Sequence, residues 1–131
     1  MAKGFQAGPY EVMFFFALKD GPAYGYELAT RFRKMTRGHI KVSFGTIYPF
    51  LRRMERRGMI KSSRDERLGR VYYLLTSKGR TAQARVLKQI KQSQKEWEEK
   101  LLGILAMYAE VFGRRPLHDL LERGKLLAKP S

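Results

Sequence analysis

Ser43-Phe44-Gly45-Thr46-Ile47-Tyr48-Pro49-Phe50-Leu51-Arg52-Arg53-Met54-Glu55-Arg56-Arg57-Gly58-Met59-Ile60 carries two unlike faces on one short helix. With Ile47 at the centre of a helical wheel, Phe50, Leu51 and Met54 fall beside it, the i, i+3, i+4, i+7 spacing of a buried stripe. The far side holds Gly45, Pro49, Arg52 and Arg56. Small or flat residues near the helix start let the backbone approach a partner closely, and the two arginines present forked donors suited to phosphate or guanine. Such a helix fits the requirements of DNA recognition. Ser43 is expected to cap it by accepting a free N–H of the first turn, and Gly58 suits the C′ position that ends it. Pro49 is the conflict. With Ser43 as cap it lies beyond the first turn, where it removes a backbone bond and bends the helix, unless the helix starts nearer Gly45.

Upstream, Gly8-Pro9 opens a first helix running to about Lys19, with Pro9 where a missing N–H costs nothing and Glu11 in the first turn. Val12 to Leu18 is apolar nearly all round, so cover is expected on more than one side, a second subunit being one candidate. Gly21-Pro22 forces a turn. A second helix is expected from about Tyr24 to Met35, with Leu28, Phe32 and Met35 inward and Arg31, Arg33 and Lys34 flanking them; Thr36 to Lys41 follows as a basic loop. Downstream of Gly58 the period changes, and Met59 to Ser63 and Arg70 to Leu75 read as two strands joined by the polar tip Arg64 to Gly69. Thr76 can cap a long fourth helix from about Ser77. Its apolar positions Val86, Ile90, Trp97, Leu101, Ile104 and Tyr108 form a narrow seam typical of helices that pair. Gly113 to Pro116 interrupts that helix, and Leu117 to Glu122 reads as one more short helix.

The 131 residues carry 27 Lys+Arg against 12 Asp+Glu, a net charge of +15 and a pI near 10.4. That balance attracts phosphate polymers, and it gives affinity without sequence preference. Residues 1–80 hold 17 basic and 6 acidic side chains, net +11, and residues 81–131 hold 10 and 6, net +4, so the polyanion is expected on the N-terminal part. With no cysteine there is neither a disulfide framework nor a thiolate metal site. His39 and His118 stand far apart and read as surface or structural residues, not ligands. The N-terminus lacks the long apolar core of a signal peptide, and the apolar stretch Leu101 to Phe112 is about half the length of a membrane span. The expectation is a soluble, cytoplasmic protein with no membrane attachment, no cofactor, no metal and no catalytic site; Walker, dinucleotide-binding and hydrolase signatures are all absent from the sequence.

Three helices followed by a hairpin make the winged form of the helix-turn-helix, in which the third helix enters the major groove and the hairpin tip lies along the backbone. The expected fold is therefore mainly α with a small β-hairpin: a winged helix DNA-binding domain over residues 1–78 and a C-terminal helical dimerisation region over 79–131. Ser43, Thr46 and Tyr48 can donate to phosphates or base edges, and Arg52 and Arg56 extend from the same helix. Arg64, Arg67 and Arg70 lie at or beside the wing tip, where phosphate pairing is the natural use. The charge by itself would equally suit a non-specific architectural or ribosome-associated protein.

Tyr24-Gly25-Tyr26-Glu27-Leu28, then Gly45-Thr46-Ile47-Tyr48-Pro49 with Leu51, Glu55 and Gly58, then Tyr72-Tyr73-Leu74-Leu75-Thr76 with Gly79, together resemble the PadR family of winged-helix transcriptional regulators. The resemblance covers about residues 8–80. It implies a homodimer joined through its C-terminal helices, binding to double-stranded operator DNA, and repression relieved by a small effector. It also implies that Gly45, Thr46, Tyr48 and Pro49 form the groove-facing helix start, and that the wing spans Ser62 to Arg70. Some members bind flat aromatic molecules between paired tryptophans. Trp97 lies further along its helix than in those members, so dimer packing is the simpler expectation for it, beside a role with a small aromatic effector.

Overall fold

In the computed structural model, which describes residues 8–130, Pro9 does start a helix, α1 (Pro9–Ala17). The expectation about the residues before Gly8 lies outside the described residues. Phe14, Phe15, Ala17 and Leu18 are buried, while Phe16 is exposed with the Lys19 ammonium 4.3 Å from its ring centre. Two long side chains take up carbonyls of α1: Arg31 Nη1 donates to Ala17 O at 2.7 Å, and Gln83 Nε2 to Phe15 O at 2.7 Å. Arg31 is thereby used inside the fold.

A two-residue strand, β1 (Ala23–Tyr24), precedes α2 (Gly25–Met35) and was not foreseen, since two residues carry no periodicity. Leu28 and Phe32 are buried as expected, but Met35 is 38% exposed at the C-terminal end of α2 and drops out of the core stripe. Helix α3 (Phe44–Arg56) follows, then β2 (Ile60–Asp65) and β3 (Arg70–Leu75). The three strands form one antiparallel sheet in the order β1-β3-β2. The hairpin tip is shorter than expected. Arg64 and Asp65 belong to β2, opposite Val71 and Arg70, and only residues 66–69 turn. Asp65 shapes that turn: its Oδ1 accepts from the Arg67 and Leu68 amides at 3.1 and 3.3 Å, and Gly69 supplies the positive φ of +64°.

Helix α3 ends as its sequence demands. Gly58, at φ +76°, donates to Glu55 O at 2.9 Å, and Met59 donates to Met54 O at 3.0 Å, the paired bonds of a Schellman cap, with both methionine side chains buried. Thr76 then joins this turn to α4 (Ser77–Gln92): its hydroxyl accepts from Gly79 N at 3.0 Å and donates to Gly58 O, and its own amide donates to Met59 O at 3.1 Å. The expected cap is present. The core around α3 holds Phe14, Leu28, Phe32, Ile47, Phe50, Leu51, Met54, Ile60, Ala82 and Val86, with Phe14 and Phe50 edge to face at 5.3 Å. Val86, expected on the pairing seam, is 2% exposed inside this core and is no part of an open face.

The chain divides into two compact units between Gln89 and Ile90. The expected single long helix is also interrupted, at Ser93, between α4 and α5 (Gln94–Phe112). The Ser93 hydroxyl and amide both donate to Ile90 O at 3.2 Å, an i−3 closure that competes with the α-helical ladder. Gly113, at φ +98°, ends α5, and α6 (Arg114–Gly124) then a short 3₁₀ turn (Lys125–Ala128) complete the second unit. The last helix is longer than the expected 117–122. No residue of α5 or α6 is buried, and Leu101, Leu102, Ile104, Met107, Val111 and Phe112 are all exposed. Among the described residues no helix is long and apolar enough to cross a membrane.

Candidate nucleic-acid interface

Helix α3 projects the residues that the sequence singled out. Ser43 has the extended backbone of an N-cap, and its carbonyl accepts from Ile47 N at 2.9 Å. Its hydroxyl does not cap the helix as expected: it pairs with the Thr46 hydroxyl at 3.3 Å, a competing polar partner within the same turn. Helix α3 runs through Pro49. Having no N–H, Pro49 leaves the Gly45 carbonyl without its helical donor, and Gly45 is exposed, so water can take that carbonyl. Gly45, Thr46, Tyr48, Arg52 and Arg56 are all exposed, and Pro49 is half-buried.

Tyr48 is set by a close approach. A Cβ at Gly25 would lie 3.0 Å from the Tyr48 hydroxyl and 3.1 to 3.2 Å from its ring, so the phenol rests against the bare backbone at the start of α2. The amide of Tyr24, just before that start, donates to Glu27 Oε1 at 2.9 Å, which holds the first turn of α2 in place. Partial burial pushes the Tyr73 phenol up, and neighbouring Tyr48 and Glu55 push it further, so it stays a neutral hydrogen-bonding group at ordinary pH.

The wing is tethered on both faces. On one, Glu55 Oε2 accepts from the Ser62 hydroxyl at 2.8 Å and from its amide at 3.3 Å, tying β2 to α3. On the other, the Arg70 guanidinium lies 5.5 and 5.6 Å from the ring centres of Tyr24 and Tyr26, which stack nearly parallel, and donates to the Tyr26 hydroxyl at 3.2 Å. Tyr24 also donates to Asp65 Oδ2 at 3.3 Å. A cleft of about 470 Å³ is lined by Tyr26, Tyr48, Gly69, Arg70 and Tyr73.

The three wing arginines are not brought together. With Arg64 opposite Val71 and Asp65 opposite Arg70, side-chain alternation sends Arg64 to the face that bears Ser62 and Arg70 to the other. Arg67 stands on the turn itself. Sequence reasoning missed two things here: Glu55 as a tether, whose partner lies seven residues away in another element, and Tyr24 and Tyr26 as the seat of Arg70. His39 and His118 are both exposed, His118 lying 3.7 Å from Asp119 and 3.8 Å from Glu122. No group of His, Cys, Asp or Glu able to hold a metal occurs among the described residues.

Glu55→Ala is expected to lower stability by only about 1 kcal/mol or less, because the tether is exposed. Its effect should instead be local, a clear rise in hydrogen exchange at the Ser62 amide. Unaltered exchange there would mean that the wing is held without Glu55.

Comparison with known proteins agrees with this geometry. The sequence profile of the transcriptional regulator PadR-like family matches residues 15–85. Among solved structures, a transcriptional regulator from Clostridium thermocellum is 31% identical, covering 71% of this chain and 84% of its own with a TM-score of 0.52. A PadR family transcription regulator from Clostridium difficile is 28% identical over 72% of this chain and 99% of its own, with a TM-score of 0.60. A PadR-like transcriptional regulator from Bacillus cereus is 28% identical over 70% and 90%, with a TM-score of 0.59. No curated protein matches. With more than half of the chain matched by the family profile and a winged helix shared with its solved members, the protein belongs to the PadR-like family of transcriptional regulators, which are DNA-binding proteins and not enzymes.

Proposed function

We propose that the protein is a cytoplasmic, homodimeric, sequence-specific repressor that binds a palindromic operator in double-stranded DNA and is released by a small aromatic effector. The observation that supports it most is the joint bracing of α3: Tyr48 set against Gly25, and Glu55 bonded to Ser62, hold the helix and the wing in one fixed relation. Rigid placement of a groove-reading helix beside a phosphate-reading wing is what sequence recognition requires. In this reading residues 1–78 bind DNA and residues 79–131 dimerise. Ser43, Gly45, Thr46, Tyr48 and Pro49 meet base edges and the nearest phosphates, Arg52 and Arg56 follow the groove, and Arg64 and Arg67 pair with phosphates along the wing. Arg70 contributes chiefly by holding the wing, since its guanidinium is already engaged with Tyr24 and Tyr26.

The apolar residues of α5 support the dimer. Trp97, Leu101, Ile104 and Tyr108 recur at helical spacing along it, with Ile90 ahead of the Ser93 break, and the exposed Trp97, Leu101 and Ile104 give an apolar face that suits a second surface. Trp97, 39% exposed on that face, is the residue that a flat aromatic effector would meet. Two heads then engage half-sites about 34–36 Å apart.

Arg52→Ala and Arg56→Ala test the DNA face. Each is expected to weaken operator binding. An arginine that reads a base should cost roughly 1–3 kcal/mol and relax preference at one position, whereas one that reads phosphate should lower the salt slope by about one. Titration in excess random DNA separates this reading from non-specific coating. Equal affinity for every duplex, or unchanged binding in both variants, would overturn it.

A further inference from the structure

Phe44 opens α3, and its ring is no part of the core. The core side of the helix is complete with Ile47, Phe50, Leu51 and Met54, all buried, while Phe44 is 55% exposed. A lone exposed apolar side chain is ordinary. What distinguishes this one is its setting. Its ring centre lies 5.9 Å from that of Tyr48, which in turn rests on Gly25, so the phenylalanine has an aromatic neighbour that is itself braced. Beside it runs a shallow groove of about 270 Å³ whose rim includes Tyr26, Arg33 and Lys41. From Leu28 to Met54 the sequence has seven basic residues and no acidic one. An exposed apolar ring beside a groove that also carries Arg33 and Lys41 is well matched to a polyanion that carries apolar groups.

Duplex DNA has one such group on its major-groove edge, the C5-methyl of thymine, and phenylalanine is among the side chains that contact it. The first residues of a recognition helix are those that reach base edges. We propose that Phe44 reads a thymine methyl in each half-site of the operator. This rests on the DNA-binding reading above and adds to it a specificity-determining residue. The neighbouring Ser43 and Thr46 hydroxyls distinguish bases by hydrogen bonds, and Phe44 supplies discrimination that those groups lack, because it senses a methyl and not a donor or acceptor.

The test removes only the methyl. Duplexes are selected from a random pool with the wild-type protein, and each thymine of the enriched half-site is replaced in turn by deoxyuridine. At one position the wild type should lose about fourfold in affinity, the factor that corresponds to burying one methyl-sized group. Phe44→Ala should bind the thymine duplex correspondingly less well and show no thymine-to-uracil difference, while Phe44→Leu, still apolar, should retain part of it. If the wild type is indifferent to every substitution, or if the difference persists in Phe44→Ala, the assignment to Phe44 is wrong and sequence-specific binding stands. If no sequence is enriched at all, both readings fall together.

Discussion

Gly79→Ala is expected to destabilise the winged unit by about 3 kcal/mol or more, toward the severe end for a single substitution. Residue 79 lies in the first turn of α4, where intrinsic preference favours alanine over glycine by about 1 kcal/mol. Packing opposes that preference and wins. A Cβ at this position would stand 1.9 Å from the Met59 carbonyl oxygen and 2.9 Å from its carbon, and both belong to backbone that cannot swing aside. The carbonyl is itself fixed, since it accepts from Thr76 N, and Thr76 also bonds Gly58 O and Gly79 N. Relieving the clash means lifting α4 from the end of α3 and breaking those bonds together. In urea denaturation the midpoint should fall by roughly 1–3 M for a domain of this size. A midpoint that stays in place or rises would show that local propensity governs this site and that the close approach is not what holds α4.

Leu101→Asp is expected to leave the fold intact and abolish the dimer. Leu101 is 54% exposed within its own chain, so an aspartate there costs the monomer little. Between two apolar helix faces the same carboxylate would be buried without a partner, a cost of several kcal/mol that association through this face cannot offset. Because linking two binding heads raises affinity by 10²–10⁴ without any new contact, operator binding should weaken by roughly that factor. Sedimentation equilibrium should report a monomer, and half-site binding should survive. A dimer that persists in sedimentation would move the interface off this face of α5.

Three features that an element's own residues decide agree between sequence and structure, although the Ser43 cap, equally local, does not form. The stripe of Ile47, Phe50, Leu51 and Met54 is buried, Gly58 takes the positive φ that ends α3, and Thr76 caps α4. These are effects within a turn or two of chain, expressed in residue spacing and capping chemistry. Ser93 shows the limit of that reading. The apolar spacing runs straight across it, but its hydroxyl bonds the i−3 carbonyl where the helix is interrupted, and hydrophobic spacing does not register this. Met35 likewise had the right spacing and the wrong place, at the end of its helix where the core has run out.

The site divides along the same line. The amino-acid order alone established an amphipathic third helix, a hairpin after it and an excess of positive charge in the part that holds both. It could not assign the wing arginines to faces. That depends on strand register, and a shift of one residue would exchange Arg64 with Asp65. Nor could it pair Arg70 with Tyr24 and Tyr26, join Glu55 to Ser62, or separate Val86, inside the core, from Leu101, outside it at equivalent spacing. Helical and strand periods are properties of neighbouring residues and are written in their order. Which side chain finds a partner, and which is left exposed, depends on distances between segments far apart in the chain, and those exist only once the elements have packed.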